Sequence, residues 1–195
     1  MTIGKTSSST NSAGSTQKVD DEIAIPAAIT EDIFHYAVHE GVSFSASDYA
    51  LTPSVNTGAY ITFTTPNTDT LLHIIPEVSG EDSCELHVYE GVTAGVGGSD
   101  KAVFNKNRAS GFGGGTTASA VSAGNTGTAG SVQIGIASTG GTLIYDEFQS
   151  KNSGGRDATY ELVLEKNTTY SFHALARIAN KNTGINLVWF EVPNA

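Results

Sequence analysis

One cysteine is all the thiol this chain of 195 residues carries, which excludes an intrachain disulfide framework. Cys84 alternates with Leu86 and Val88 and reads as a small buried hydrophobe. Basic residues are scarce too: ten Lys and Arg stand against twenty Asp and Glu, a formal net charge of −10. Nucleic-acid binding draws its affinity from concentrated Lys and Arg on phosphates, so no nucleic-acid partner is expected. The same charge opposes adhesion to anionic membranes. No apolar run is long enough for a signal peptide or a bilayer span, so no membrane partner is expected and synthesis in a reducing cytoplasm is. Helix-favouring runs of Ala, Leu, Glu and Lys are missing, and charged residues make up only 15%.

What is present favours short strands joined by many turns: abundant Gly, Ser, Thr and Asn, with 38% hydrophobic residues. Residues 1–18 are half Ser or Thr and cannot bury enough surface to offset their conformational entropy. From Val19 to Ala28 the chain turns acidic and then apolar, with Ile23, Ile25 and Pro26. Residues 1–29 are therefore expected to form a disordered or extended N-terminal arm, lying on its own body or on a neighbouring subunit. Gly4-Lys5-Thr6 lacks the earlier Gly, the strand and the helix of a phosphate-binding loop.

Residues 30–195 read as one domain. Ile33 to Val38 is strand-like, and His39-Glu40-Gly41 turns it toward a strand at Val42 to Ser45. Ala59 to Thr64 alternates, with Ile61 and Phe63 on one face, and ends at Pro66. Leu71 to Val78 and Cys84 to Tyr89, joined by Ser79-Gly80-Glu81-Asp82-Ser83, read as a β-hairpin. A long Gly-rich loop follows at about 91–130, holding 11 of the 22 glycines, with a short strand at Val103-Phe104 and Phe112 as the one large side chain of 111–130. A stretch of this length is either a flexible excursion or a loop ordered against a partner subunit. Further strands are expected at Ser131 to Ala137, Thr142 to Gln149, Thr159 to Glu165, Tyr170 to Ile178 and Ile185 to Val192. Glu165-Lys166-Asn167-Thr168 and Asn180-Lys181-Asn182-Thr183-Gly184 read as tight turns, with Asn167 suited to a left-handed conformation. Eight to ten strands without a helix predict an all-β fold, an antiparallel jelly-roll-like β-sandwich with a flexible N-terminal arm, and a barrel as second choice.

Catalytic chemistry finds no footing in these residues. Five histidines lack the partners and spacing of a metal site: His35 and His39 share a face only on a helix, and His73, His87 and His173 lie opposite the apolar faces of strands. Acidic pairs at Glu81-Asp82 and Asp146-Glu147 are neighbours in sequence, whereas a glycosidase needs carboxylates facing across a cleft. No nucleophile elbow is present. Neither a cofactor nor a metal is expected, and Trp189, alternating with Leu187, reads as core.

Several segments stand out, in order along the chain. They are His35-x-x-x-His39-Glu40-Gly41-x-Ser43-Phe44, Thr64-Thr65-Pro66-Asn67 with Leu72-His73-Ile74, and Leu86-x-Val88-Tyr89-Glu90-Gly91-x-Thr93. Asn105-Lys106-Asn107-Arg108, Leu164-x-Lys166-Asn167-Thr168-x-Tyr170 and Trp189-Phe190-Glu191 complete the set. Taken together, these segments resemble a family of tailed-phage virion proteins, which has Pro where Val92 stands here. The resemblance implies a non-enzymatic head decoration or auxiliary capsid protein, made in the host bacterial cytoplasm and carried on the capsid exterior. Its implied partners are the major capsid protein and further copies of itself, most simply as a trimer. Ile23 and Ile25 of the arm, His39, Glu40, and Phe112 are then the candidate contacts, while Asn105, Asn107 and Arg108 tie down the long connection. The alternative is a carbohydrate- or receptor-binding module of a tail or fibre, which needs an exposed aromatic platform drawn from Tyr36, Tyr49, Tyr60, Tyr89 and Phe112.

Overall fold

The computed structural model describes residues 9–10, 16–17, 33–95, 98–108, 132–150 and 160–193. The chain divides into two compact units, Met1–Tyr36 and Ala37–Ala195. In the first, β1 (Ser9–Thr10) pairs antiparallel with β2 (Thr16–Gln17). Ile23 and Ile25 lie outside the described residues, as do most of 1–29 and the stretch 109–131 that contains Phe112.

The segment expected as a strand at Ile33 to Val38 is a helix, α1 (Ile33–His39). Its branched and aromatic residues favour strands, but the C-terminal cap decides otherwise. Gly41 takes φ of 72°, its N–H donates to Val38 O at 3.1 Å, and the Val42 N–H donates to Ala37 O at 3.0 Å. That crossed pair is the Schellman arrangement, which satisfies carbonyls a strand would have left to a ladder. The helix also puts His35 and His39 one turn apart.

Among the described residues eleven strands follow. They are β3 (Ser43–Ala50), β4 (Gly58–Thr64), β5 (Thr70–Gly80), β6 (Cys84–Glu90), β7 (Ser99–Asp100), β8 (Phe104–Asn105), β9 (Gln133–Ile134), β10 (Thr142–Gln149), β11 (Leu162–Leu164), β12 (Thr169–Ala176) and β13 (Thr183–Pro193). They form two antiparallel sheets, ordered β11-β5-β13-β3-β8 and β10-β6-β12-β4-β9-β7. The central strands are β13, hydrogen-bonded to β5 and β3, and β12, hydrogen-bonded to β6 and β4.

The hairpin expected at Leu71–Tyr89 is not one. β5 and β6 belong to different sheets, and Glu81-Asp82-Ser83 carries the chain from one layer to the other. The turns at 165–168 and 177–182 do the same, linking β11 to β12 and β12 to β13 across the sandwich. The reason is hydrophobic: Leu72, Ile74 and Val78 of β5 and Cys84, Leu86 and Val88 of β6 all enter one core from opposite layers. An arch lets both apolar faces bury against each other, whereas a hairpin would place both rows on one sheet. Asn167 does take a positive φ, 53°.

The core joins both layers, as in a β-sandwich. Trp189 packs against Phe44 of its own sheet at 6.0 Å between ring centroids and against Phe63 of the other at 6.4 Å. Cys84 is buried here, and desolvation, then the nearby Glu147 and Glu85 carboxylates, pushes its thiol pKa up. The strand expected at 131–137 shortens to Gln133–Ile134, because Gly135 turns out of it at φ of 82°.

Candidate functional site

The segments that carry the family resemblance meet in two hydrogen-bonded networks. In the first, the Asn105 side-chain amide donates to Gly41 O at 2.7 Å and the Asn107 amide donates to His39 O at 3.1 Å. Asn105 Oδ1 also accepts the Asn107 backbone N–H at 2.8 Å, and the Lys106 N–H donates to Ser43 O. The short strand β8 is thereby fastened along β3 and across the end of α1. The Glu191 N–H joins the same region by donating to Val42 O, and the Trp189 indole donates to Glu191 Oε1 at 3.1 Å.

The second network holds the turns 65–69, 91–93 and 165–168. The Thr65 hydroxyl donates to Glu165 O at 2.6 Å and accepts the Thr168 N–H at 2.9 Å, while the Asn167 N–H donates to Pro66 O. Tyr170 donates its phenol to Glu90 Oε1 at 2.5 Å and accepts the Glu165 N–H at 2.9 Å. Burial, followed by the bond to Glu90, raises the Tyr170 pKa far above the ordinary phenol range. Both networks lie at the end of the sandwich where β3, β5 and β12 begin and β4, β6 and β13 finish.

Of the residues singled out from sequence, Asn105 and Asn107 are buried at the first network. His39, Glu40 and Arg108 are exposed around it. Ile23, Ile25 and Phe112 lie outside the described residues.

A second constellation went unnoticed in the sequence. On the outer face of the six-stranded sheet, Tyr60 of β4, His173 of β12 and His87 of β6 form one cross-strand row. His173 lies opposite the apolar face of its strand, as its spacing implies, yet it is buried, at 7% exposure. Its ring meets Tyr60 edge-on and Tyr89 at a tilt, each at 4.9 Å between centroids. Nε2 lies 2.8 Å from the Ser171 hydroxyl and 3.3 Å from that of Ser138, and Ser171 shares a 2.7 Å bond with Thr62. Beside it, His87 pairs with Glu85, which also binds Arg177 at 3.3 Å. Desolvation, with a smaller contribution from His87, lowers the His173 pKa to about 4.

Ser138 belongs to a strap. Residues 135–141 connect β9, beside β4, with β10, beside β6, so they cross four strand spacings. At about 4.8 Å per spacing the span is about 19 Å, and seven extended residues reach about 23 Å. The inner face is filled by core, so the strap runs over the outer face, with Ser138 near its middle above the central strand β12. Its far end is tied by Thr93 and Thr139, which exchange backbone bonds of 2.9 and 3.0 Å.

The Ser171–His173 contact has the form of a nucleophile and base. Ser171, however, has no exposed surface and its hydroxyl is engaged by Thr62, so the pair works as an internal bond. Tyr60 and Tyr89 lean on His173 instead of standing clear as a sugar platform, while Tyr49, on another sheet, is 67% exposed. Among the described residues no group of three or more His, Cys, Asp or Glu is placed to hold a metal ion, and no helix is long and apolar enough to cross a membrane. The parity of Tyr60-Thr62, His87-Tyr89 and Ser171-His173 was the available signal, since each pair lies opposite an apolar face. No family model, curated protein or solved structure matches the chain.

Proposed function

We propose that the chain is a non-enzymatic virion structural protein that decorates or cements the outer surface of a phage capsid as a homo-oligomer, most simply a trimer. The observation that carries the reading is the convergence of the resembling segments. Residues 39–44, 105–107 and 189–191 bind one another, and so do 65–67, 90–92 and 165–170, across separations of up to 100 positions and more. A set of fragments alike only by chance has no reason to fall into two mutually satisfied networks.

The jelly-roll form belongs to the same proposal. It draws support from the strand orders β11-β5-β13-β3 and β10-β6-β12-β4, in which β3, β4, β5 and β6 alternate between sheets, as do β11, β12 and β13. A rigid sandwich with its loops pinned at one end suits a protein that must sit on a lattice without rearranging. The acidic balance fits an outward position, since a genome-facing surface favours Lys and Arg. The arm, with Ile23 and Ile25, is the proposed contact to a neighbouring subunit or to the major capsid protein. Quantitative mass spectrometry of purified particles tests this. The chain is expected at a copy number comparable to a capsid lattice, and its absence from particles removes the proposal.

A further inference from the structure

We propose that the strap 135–141 is an acid-released latch, held over the outer face by neutral His173 and freed when that imidazole takes a proton. The strap, Gly135-Ile136-Ala137-Ser138-Thr139-Gly140-Gly141, has no titratable side chain, so among the described residues its pH-dependent attachment lies on the sheet beneath. There, Ser138 reaches His173 Nε2 at 3.3 Å, and Ser171 competes for the same atom at 2.8 Å.

The latch requires the Nδ1–H tautomer of the neutral ring, in which Nε2 has one lone pair to share between these hydroxyls. Protonation makes both ring nitrogens donors. Nε2–H then goes to the nearer Ser171, whose own proton has an acceptor in Thr62 at 2.7 Å, and Ser138 is left without an acceptor.

Among the described residues the charge also has no counter-ion at hand. The titratable groups facing His173 are Tyr60 on β4 and His87 and Tyr89 on β6. Glu85 is already shared between His87 and Arg177. Asp146 lies in the next strand beyond His87. The nearest remedy is water, and the strap covers the place where water would enter. Gly135, Gly140 and Gly141, with φ of 82°, 69° and 83°, lie at its two ends and let it swing without opening either sheet.

An imidazole held near 4 under the strap returns to about 6.5 once hydrated. Opening is then favoured by roughly 30-fold at pH 5 and by roughly 300-fold well below pH 4, with almost no effect at pH 7.5. Hydrogen exchange of the full chain at pH 7.5 and 5.0, corrected for intrinsic rates, reads this directly. The Thr93 and Thr139 amides are expected to lose about 30-fold in protection while those of Phe172 and Leu187, in the central strands, keep theirs. His173→Gln is expected to hold Thr93 and Thr139 protection constant across the same range. Unchanged protection in the native chain, loss in parallel with Phe172 and Leu187, or an equal loss in His173→Gln each overturns the latch. If His173→Gln does not fold, the comparison of Thr139 with Leu187 in the native chain decides alone.

Discussion

Asn105→Ala tests whether the segment after the long connection is fastened or merely adjacent. The substitution removes two bonds at once, from Nδ2 to Gly41 O at 2.7 Å and from the Asn107 N–H to Oδ1 at 2.8 Å. Gly41 and Asn107 are both buried, so neither released group regains water freely. A buried polar group left unsatisfied costs about 1–3 kcal/mol, which sets the combined loss for two such groups at about 2–6 kcal/mol. Against a domain stability of about 5–15 kcal/mol that is a large shift in a urea midpoint. Trp189, the only tryptophan, is 1% exposed in the shared core and reports the transition by fluorescence. Asn105→Asp sharpens the test, because it keeps the acceptor for Asn107 but sets a carboxylate against the Gly41 carbonyl, and it is expected to destabilise at least as much. Arg108→Ala, at an exposed neighbouring position, is expected to stay within about 0.5 kcal/mol. An Asn105→Ala chain within about 0.5 kcal/mol of the native one would refute the reasoning.

Three further outcomes are expected. Gly141→Ala forces a left-handed residue to carry a Cβ 2.6 Å from Val92 and 2.7 Å from Glu90 O, and should lower stability by more than about 1 kcal/mol in the same urea assay. Tyr170→Phe leaves Glu90 and the Glu165 N–H without their shared phenol, at a cost of about 1–3 kcal/mol read by thermal unfolding. Deleting residues 1–28 should leave a folded domain with the native Trp189 emission while weakening self-association or particle attachment, and an unfolded product would place the arm in the core.

The core was legible in the sequence because alternation survives without knowledge of partners. Ile61 and Phe63, Leu86 and Val88, and Leu187 and Trp189 all face inward as their spacing implies. Partnership was not legible. A polar turn such as Glu81-Asp82-Ser83 serves an arch as well as a hairpin, and only the opposite layer, far away in sequence, decides between them. α1 was misread for a related reason, since its residues favour strands and its helical state rests on a two-bond cap at Gly41. Asn105 and Asn107 stood out as residues that fasten, yet their acceptors at 41 and 39 are backbone oxygens with no sequence signature. His173 was hidden by the same limit, since burial on an outer face depends on a strap that crosses from residues 135–141.

The placement of β12 and β13 bears on how the chain is made. Before residues 169–193 leave the ribosome, β4 and β6 have no strand between them, and neither do β3 and β5. The earlier four strands alternate between layers, so none of them pairs with its neighbour in sequence while they wait. The edges that β12 and β13 later fill stay open throughout that interval, which exposes the nascent chain to chaperones and makes it a hazard at high expression. A shortened product stopping before β12 keeps only the outer pairs β10-β6, β11-β5, β3-β8 and β4-β9 and lacks the strand that joins them at the centre of each sheet.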